Sequence, residues 1–292
     1  MNQTLSLPAS RNSIWRSFKT ATWLGWKIES NWTDPFLFFI YSVIKPLAGA
    51  GILVVMYSII SQGNLGKPLF AYIFIGNAFF QFVASVMTGV SWAIIDDRED
   101  YRTLKYLYTA PLSMPWYLMG RAIARIIIAV FSVILTLAVG FIFLQVPFNP
   151  AIIDWPLLLV TLVVGIFMLA MIGLLLAGAS LAMAQHAFGL GDTVAGALFI
   201  FSGAIYPISQ LPVWLQPLGY MMPISYWLEL VRRAMIGNVA EAFPTFSTLS
   251  NSQLMLILLG LTVVFTVIGI LGWRWCDHNA RERGLIDQTQ NY

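Results

Sequence analysis

An all-α integral membrane fold follows from two observations on this chain. Charge is scarce: 10% of the 292 residues are Asp, Glu, Lys or Arg, and 59% are hydrophobic. A soluble domain carries about a quarter charged residues and is about half apolar. The second observation is that apolar stretches of bilayer length recur, since about 20 residues cross a hydrocarbon core as a helix. Such stretches lie at 35–60, 68–95, 116–144, 155–183, 187–207 and 254–275, which predicts six transmembrane helices.

The segment before the first span, residues 1–34, reads as a cytoplasmic N-terminal piece. Within 11–33, Trp15, Phe18, Trp23, Trp26 and Trp32 alternate with Arg16, Lys19 and Lys27. Aromatic rings at the membrane boundary and cations toward anionic headgroups describe an interfacial amphipathic helix. No short apolar core stands before a small-residue cleavage site, so insertion is expected to begin with the first span. Asp34 and Pro35 supply cap and first-turn chemistry for that span. The loops near Gly63 and Pro147 are short.

Residues 208–236 are the exception to simple spans. They are largely apolar, but Pro217 and Pro223 interrupt them and Glu229, Arg232 and Arg233 charge them. Non-helical backbone at membrane depth survives only inside protein or facing water. The reading is a re-entrant helical hairpin before the last span. Charge placement agrees. With the N-terminus inside, Arg11, Arg16, Lys19, Lys27, Arg98, Arg102, Lys105, Arg121, Arg125, Arg274, Arg281 and Arg283 are cytoplasmic. Lys67, Arg232 and Arg233 are external. The positive-inside rule holds, and a seventh span would send the basic tail, 276–292, outside. Both termini are therefore expected in the cytoplasm, around a six-span domain at 35–275.

Catalytic chemistry is hard to place. Cys276 is the single cysteine, and His186 and His278 stand far apart, so no metal-ligand spacing and no metal site is read. Gly63-Asn-Leu-Gly66-Lys67-Pro68 has the wrong spacing for a phosphate-binding loop, and a proline replaces the needed hydroxyl. Gly189-Leu-Gly191 lacks the third glycine of a dinucleotide fingerprint. Asp154 and Asp192 lie at span ends, so no proton relay is read across a span. Lys45, inside the first span, either lines a polar cavity or snorkels to the headgroups. No catalytic residues are assigned, though two other readings stay open. Gln185, His186 and Asp192 are the one group that could serve a lipid-modifying enzyme; an ATP-independent channel or scaffold is the other alternative.

The most distinctive stretch joins the second and third spans: Asp96-Asp97-Arg98-Glu99-Asp100-Tyr101-Arg102-Thr103-Leu104-Lys105-Tyr106-Leu107. Acids crowd its start, where they complement a helix dipole. Leu104, Leu107 and Tyr108 follow at helical spacing. It is either a solvated loop or a short amphipathic helix suited to a groove on a soluble partner. Ala170, Gly173, Ala177 and Gly178 let a helix pack closely, within this chain or against a second copy.

The run Arg98 to Ser113, with Thr103-Leu104 and Thr109-Ala-Pro111, resembles the coupling segment of type-2 ATP-binding-cassette (ABC) exporter permeases. A second segment also resembles that family: Pro207-Ile-Ser209-Gln-Leu-Pro212-Val-Trp214-Leu-Gln-Pro217, then Pro223-Ile-Ser-Tyr226 and Glu229-Leu-Val-Arg232. Arg102 stands where the family often has Gly, Lys105 where it often has Glu, and Met222 where it usually has Asn.

The resemblance implies the transmembrane permease subunit of an ATP-driven exporter in the plasma membrane, the inner membrane of a bacterial or archaeal cell. It would carry an amphipathic or hydrophobic substrate such as a drug, antibiotic, lipid or lipid-linked glycan. No cofactor would bind this chain; ATP and Mg would belong to two copies of a separate ATPase subunit. A second permease chain, identical or homologous, and membrane lipid complete the implied partners, with no nucleic acid. ATPase coupling is implied for residues 98–109, through Arg98, Glu99, Asp100, Arg102, Thr103, Leu104 and Leu107. An external gate is implied around Pro217, Pro223, Tyr226, Glu229 and Arg232.

Overall fold

The computed structural model describes residues 11–30, 35–61, 68–143, 152–183, 189–237, 246 and 248–286. Among them every regular element is helical. In chain order these are α1 (Arg11–Ser30), α2 (Pro35–Ile60), α3 (Pro68–Asp100), α4 (Leu104–Thr109), α5 (Met114–Phe143) and α6 (Trp155–Ala182). Then follow α7 (Leu190–Phe201), a 3-10 turn at Ile208–Gln210, α8 (Gln216–Met221), α9 (Pro223–Ile236) and α10 (Asn251–Glu282). Asp34, the 63–67 turn, Leu144, Pro147, Gln185, His186 and Ala187 fall outside the described residues.

Among the described residues four helices are long and apolar enough to cross a membrane: α3, α5, α6 and α10. The first expected span forms α2, whose described apolar stretch is Leu47–Ile59. The fifth differs from expectation. α7 stops at Phe201, short of Pro207, and its 12 residues reach only about 18 Å at 1.5 Å per residue. A bilayer core is about 30 Å thick. The stop has a local cause: Gly203 takes φ +74, the left-handed conformation with which helices commonly end.

α3 is the axis of the bundle. Its apolar window is 72% buried, against 22% for α10. It is not a uniform helix, because Val83–Met87 and Asp96–Asp100 are π-helical turns. α6 packs against α3 on one side and α10 on another. The small residues of α6 serve this intrachain packing. A Cβ at Gly173 would come within 2.9 Å of the Met87 carbonyl oxygen on α3, and one at Gly178 within 3.3 Å of the Trp273 Cα on α10.

α1 does not stand apart from the bundle. Ser17, Ala21 and Gly25, at helical spacing, are buried against the first turns of α5. A Cβ at Gly120 would fall 2.6 Å from the Ala21 Cβ, and Arg125 pairs with Glu29 at 2.7 Å. Trp15 and Trp23 remain exposed on the other face.

The proline-broken segment is two helices, α8 and α9, divided at Met222, which is extended. Pro223 opens α9 at a position where its missing N–H costs nothing. The Ser225 hydroxyl donates to the Gly219 carbonyl at 2.7 Å and the Tyr226 hydroxyl to the Tyr220 carbonyl at 2.9 Å, which ties the two together. α9 is buried against α3, α6 and α10. Trp227 is fully buried, and its indole N–H donates to the Thr161 carbonyl at 2.9 Å.

Candidate functional site

Two clusters of buried charge sit on α3, one near each end. The first is at the C-terminal end, where the π-helical turn widens the helix and carries Asp96 and Asp97 toward α5. Arg121 of α5 donates from Nη1 to Asp97 Oδ1 at 2.7 Å and reaches Asp96 Oδ2 from Nη2 at 3.4 Å. The Tyr117 hydroxyl donates to the other Asp97 oxygen at 2.9 Å. Asp97, Tyr117 and Arg121 are all nearly inaccessible. Removing one partner of a buried pair leaves an uncompensated charge, typically worth about 3–5 kcal/mol, so this set holds α3 to α5.

Arg98 points the other way and is also buried. Its Nε pairs with Glu99 at 2.8 Å, and its Nη1 donates to the Ser180 carbonyl at 3.2 Å. That carbonyl lies in the last turn of α6, where helix carbonyls lack internal partners and the dipole is negative. Arg98 therefore caps α6, and Arg121 anchors α5.

Beyond Asp100 the chain turns sharply. The Tyr101 N–H donates to the Asp96 carbonyl and the Thr103 N–H to the Asp97 carbonyl, both at 2.8 Å. Between them Arg102 has φ +52; among the described residues it is the one non-glycine with positive φ. Glycine enters that region freely, whereas other residues bear a cost of about 1–2 kcal/mol there. The position at which the resembled family often has Gly is thus a left-handed corner that this chain turns with arginine.

α4 then packs by Leu104, which is 1% exposed in a core with Ile94, Tyr117 and Leu181. Leu107 and Tyr108 rest on the same core. The Tyr108 hydroxyl donates to Asp277 Oδ1 of α10 at 2.6 Å, and the Arg281 guanidinium lies 4.8 Å from the Tyr108 ring. Burial and the Asp277 hydrogen bond push the Tyr108 phenol well above its ordinary pKa, so it stays a donor. The apolar face of α4 points inward, and the face left outward carries Tyr106, 64% exposed, with Tyr101 and Arg102 before it and Lys105 and Thr109 beside it.

The second cluster lies near the start of α3. Arg232 of α9 is 1% exposed, and its guanidinium is satisfied by neutral groups. Nε donates to the Tyr72 carbonyl at 3.0 Å, and Nη2 to the carbonyls of Gly203 at 2.7 Å and Ala204 at 3.3 Å. Its Cζ stands 3.9 Å from the Tyr72 ring centroid, a cation–π contact. Gly76 makes room, since a Cβ there would lie 1.9 Å from Arg232 Nη2. Glu229, also 1% exposed, accepts from the Tyr72 hydroxyl at 3.2 Å and from Arg233 Nε at 3.1 Å. Arg233 continues to the carbonyls of Leu249 at 2.7 Å and Phe246 at 2.9 Å.

The sequence-derived residues thus divide. Glu229 and Arg232 meet in one network, with Tyr226 one turn away; Pro217 and Pro223 shape the helices that deliver them. Arg98 and Leu104 are internal, whereas Asp100 and Arg102 are exposed. Glu99, Thr103 and Leu107 are half-buried. Lys45 lies in α2, but its side chain is outside the described residues. Of the group considered for lipid chemistry, Asp192 accepts from the Trp92 indole at 2.9 Å. No group of three metal-ligating side chains occurs among the described residues.

Sequence reading named Asp97 and Arg121 without pairing them, and passed over Tyr117 and Tyr72. Arg121 carried a signal, because an arginine one or two turns inside an apolar helix needs a buried partner. Tyr72 carried none; it is one of many aromatic residues in α3.

The comparisons agree with this architecture. The family model described as "ABC-2 type transporter" matches residues 16–236. The chain is 28% identical over 155 residues to the probable multidrug ABC transporter permease YbhR of Escherichia coli strain K12, with the same figures for the O157:H7 protein. That match covers 53% of this chain and 41% of the relative, so the chain spans less than half the length of those relatives. It is 26% identical over 190 residues to the capsule polysaccharide export inner-membrane protein BexB of Haemophilus influenzae, covering 62% of this chain and 70% of that one. The chain belongs to the ABC-2 type transporter family, and among its described residues several helices are long and apolar enough to span a membrane.

Proposed function

We propose that this chain is the transmembrane subunit of an ATP-driven exporter, six spans with both termini in the cytoplasm, the fifth crossing made by α7 together with the turn that follows it to Pro207, and that its ATP is hydrolysed by a separate subunit. One observation carries the reading. The α3–α4 corner presents an exposed face of Asp100, Tyr101, Arg102, Lys105, Tyr106 and Thr109, and that face is bolted by buried groups to three long helices. A contact surface that must transmit force needs such rigid backing.

The reading refines the part each residue takes. Asp100 and Arg102 touch the ATPase, together with Tyr106 and Lys105. Arg98, Glu99, Thr103, Leu104 and Leu107 carry the movement inward, to α6 through Arg98 and to the core through Leu104. The α8–α9 hairpin, with Pro217, Pro223, Tyr226, Glu229 and Arg232, closes the external side, and Lys45 lines the pathway from α2. Two permease chains, identical or homologous, pair with two ATPase copies. The cargo is an amphipathic or hydrophobic compound; relatives named for multidrug and capsule polysaccharide export mark the range.

Co-purification tests this. The full chain, expressed with a candidate soluble ABC ATPase subunit, is expected to retain that subunit and stimulate its hydrolysis. Replacing Lys105 and Tyr106 together by Glu should abolish retention while the chain stays folded and membrane-inserted. Retention unchanged in that variant, or no ATPase retained by the wild type, overturns the reading.

A further inference from the structure

A lateral groove of about 720 Å³ lies away from both charge clusters. It runs between two helix pairs that are each closely packed, α1 with α5 and α6 with α10, whereas α5 and α6 touch only lightly. Trp116 and Ile123 line one wall, Phe167 and Met171 the floor, and Ile270 and Arg274 the other wall, with Phe18 of α1 at one end. The lining along α5 extends from Pro115 to Ile126, roughly 17 Å at 1.5 Å per residue, close to one leaflet of a core about 30 Å thick. The lining is largely apolar, with Ser113, Thr266 and Arg274 as its hydrogen-bonding side chains besides the Trp116 and Trp273 indoles.

Arg274 is exposed and makes no ion pair with any described residue. The other exposed arginine of the same helix, Arg281, already pairs with Asp277. Trp116 and Trp275 are exposed at the same end, 45% and 69%, as tryptophans are at a headgroup boundary. Arg16 and Lys19, exposed on α1 beside Phe18, add to the positive field. An occupant of this groove is thus apolar over one leaflet's depth and anionic at the boundary.

We propose that the groove seats one anionic phospholipid of the cytoplasmic leaflet, an acyl chain between the two helix pairs and its phosphate on Arg274. The lipid acts as a fixed filler joining the α1–α5 and α6–α10 pairs and is not cargo. The inference rests on the permease reading for the orientation that makes this leaflet cytoplasmic.

Native mass spectrometry of the delipidated full chain, supplied with phosphatidylglycerol or phosphatidylcholine in mixed micelles, tests it. One phosphatidylglycerol per chain is expected to stay bound, about tenfold in preference to phosphatidylcholine. Arg274→Gln should lower phosphatidylglycerol retention about tenfold, while Arg283→Gln, beyond the groove, should leave it unchanged. Ile270→Trp, which fills the groove from a partly exposed position, should remove both lipids with helix content retained by circular dichroism. Equal retention of the two lipids, or no response to Arg274→Gln, overturns the proposal. So does an Ile270→Trp chain that changes oligomeric state while keeping its lipid, or a bound lipid displaced by a hydrophobic transport dye. ATPase retention, scored in the same preparations, separates this outcome from the permease reading: a chain that keeps its ATPase without lipid selectivity sinks only the lipid site.

Discussion

The two buried clusters on α3 solve one problem by opposite means. At the C-terminal end, charge is met by charge: Asp97 faces Arg121 at 2.7 Å, with Asp96 in reserve at 3.4 Å. At the N-terminal end, Arg232 is met by three backbone carbonyls and an aromatic face, and its neighbour Glu229 pairs elsewhere, with Arg233. Carbonyls are fixed to the backbone, so Arg232 ties α9 to specific residues of α3 and to the Gly203–Ala204 turn. The comparison teaches that the N-terminal cluster fixes the α7–α9 region through backbone carbonyls, and the C-terminal cluster fixes the exposed corner chiefly through paired side-chain charges. Tyr72 and Asp97 are roughly 38 Å apart along α3 at 1.5 Å per residue, so one helix carries both.

The largest effect is expected from Arg232→Ala. It leaves three buried carbonyls without their donor and a cavity where the guanidinium lay, and a loss of about 3–5 kcal/mol in unfolding free energy, measured in mixed micelles, is expected. Asp97→Asn should cost less, about 1.5–3 kcal/mol, because Asp96 remains beside Arg121. A double-mutant cycle of Asp97→Asn with Arg121→Gln should show a coupling of at least 1 kcal/mol. Equal losses from Arg232→Ala and Asp97→Asn would erase the distinction between the two clusters. Gly76→Ala presses a methyl group onto Arg232 and should cost about 1–3 kcal/mol; cleavage by protease should then appear first around α8 and α9. The smallest change is Arg102→Gly, which relieves the left-handed corner and should raise stability by about 1 kcal/mol. Should it also weaken ATPase retention, the Arg102 side chain belongs to the contact surface.

Much of this was legible in the residues themselves. The long helices could be read because about 20 apolar residues have few other solutions in a bilayer. The start of α9 at Pro223 could be read because proline fixes φ and lacks an N–H. The end of α7 could not, since Gly203 looks like any small residue until its φ and its contact with Arg232 are known. The same holds for the 98–109 segment. Leu104 and Leu107 at helical spacing predict an apolar face, yet spacing does not say whether that face meets a partner or the core. Here it meets the core, and the polar side is what remains outside.

Composition and periodicity alone therefore determined that this is a helical membrane protein, where its long helices run, and which two segments depart from plain spans. These properties depend on each residue's own solvation and backbone preference, so they are written locally. Only the tertiary structure decided which charges are paired. Arg121, Arg98 and Arg232 look alike in the sequence, and their roles depend on groups many residues distant: an aspartate on α3, the last turn of α6, and the carbonyls after α7. A buried cation is stabilised by whatever lies within about 3 Å of it, and that is set by how the helices pack.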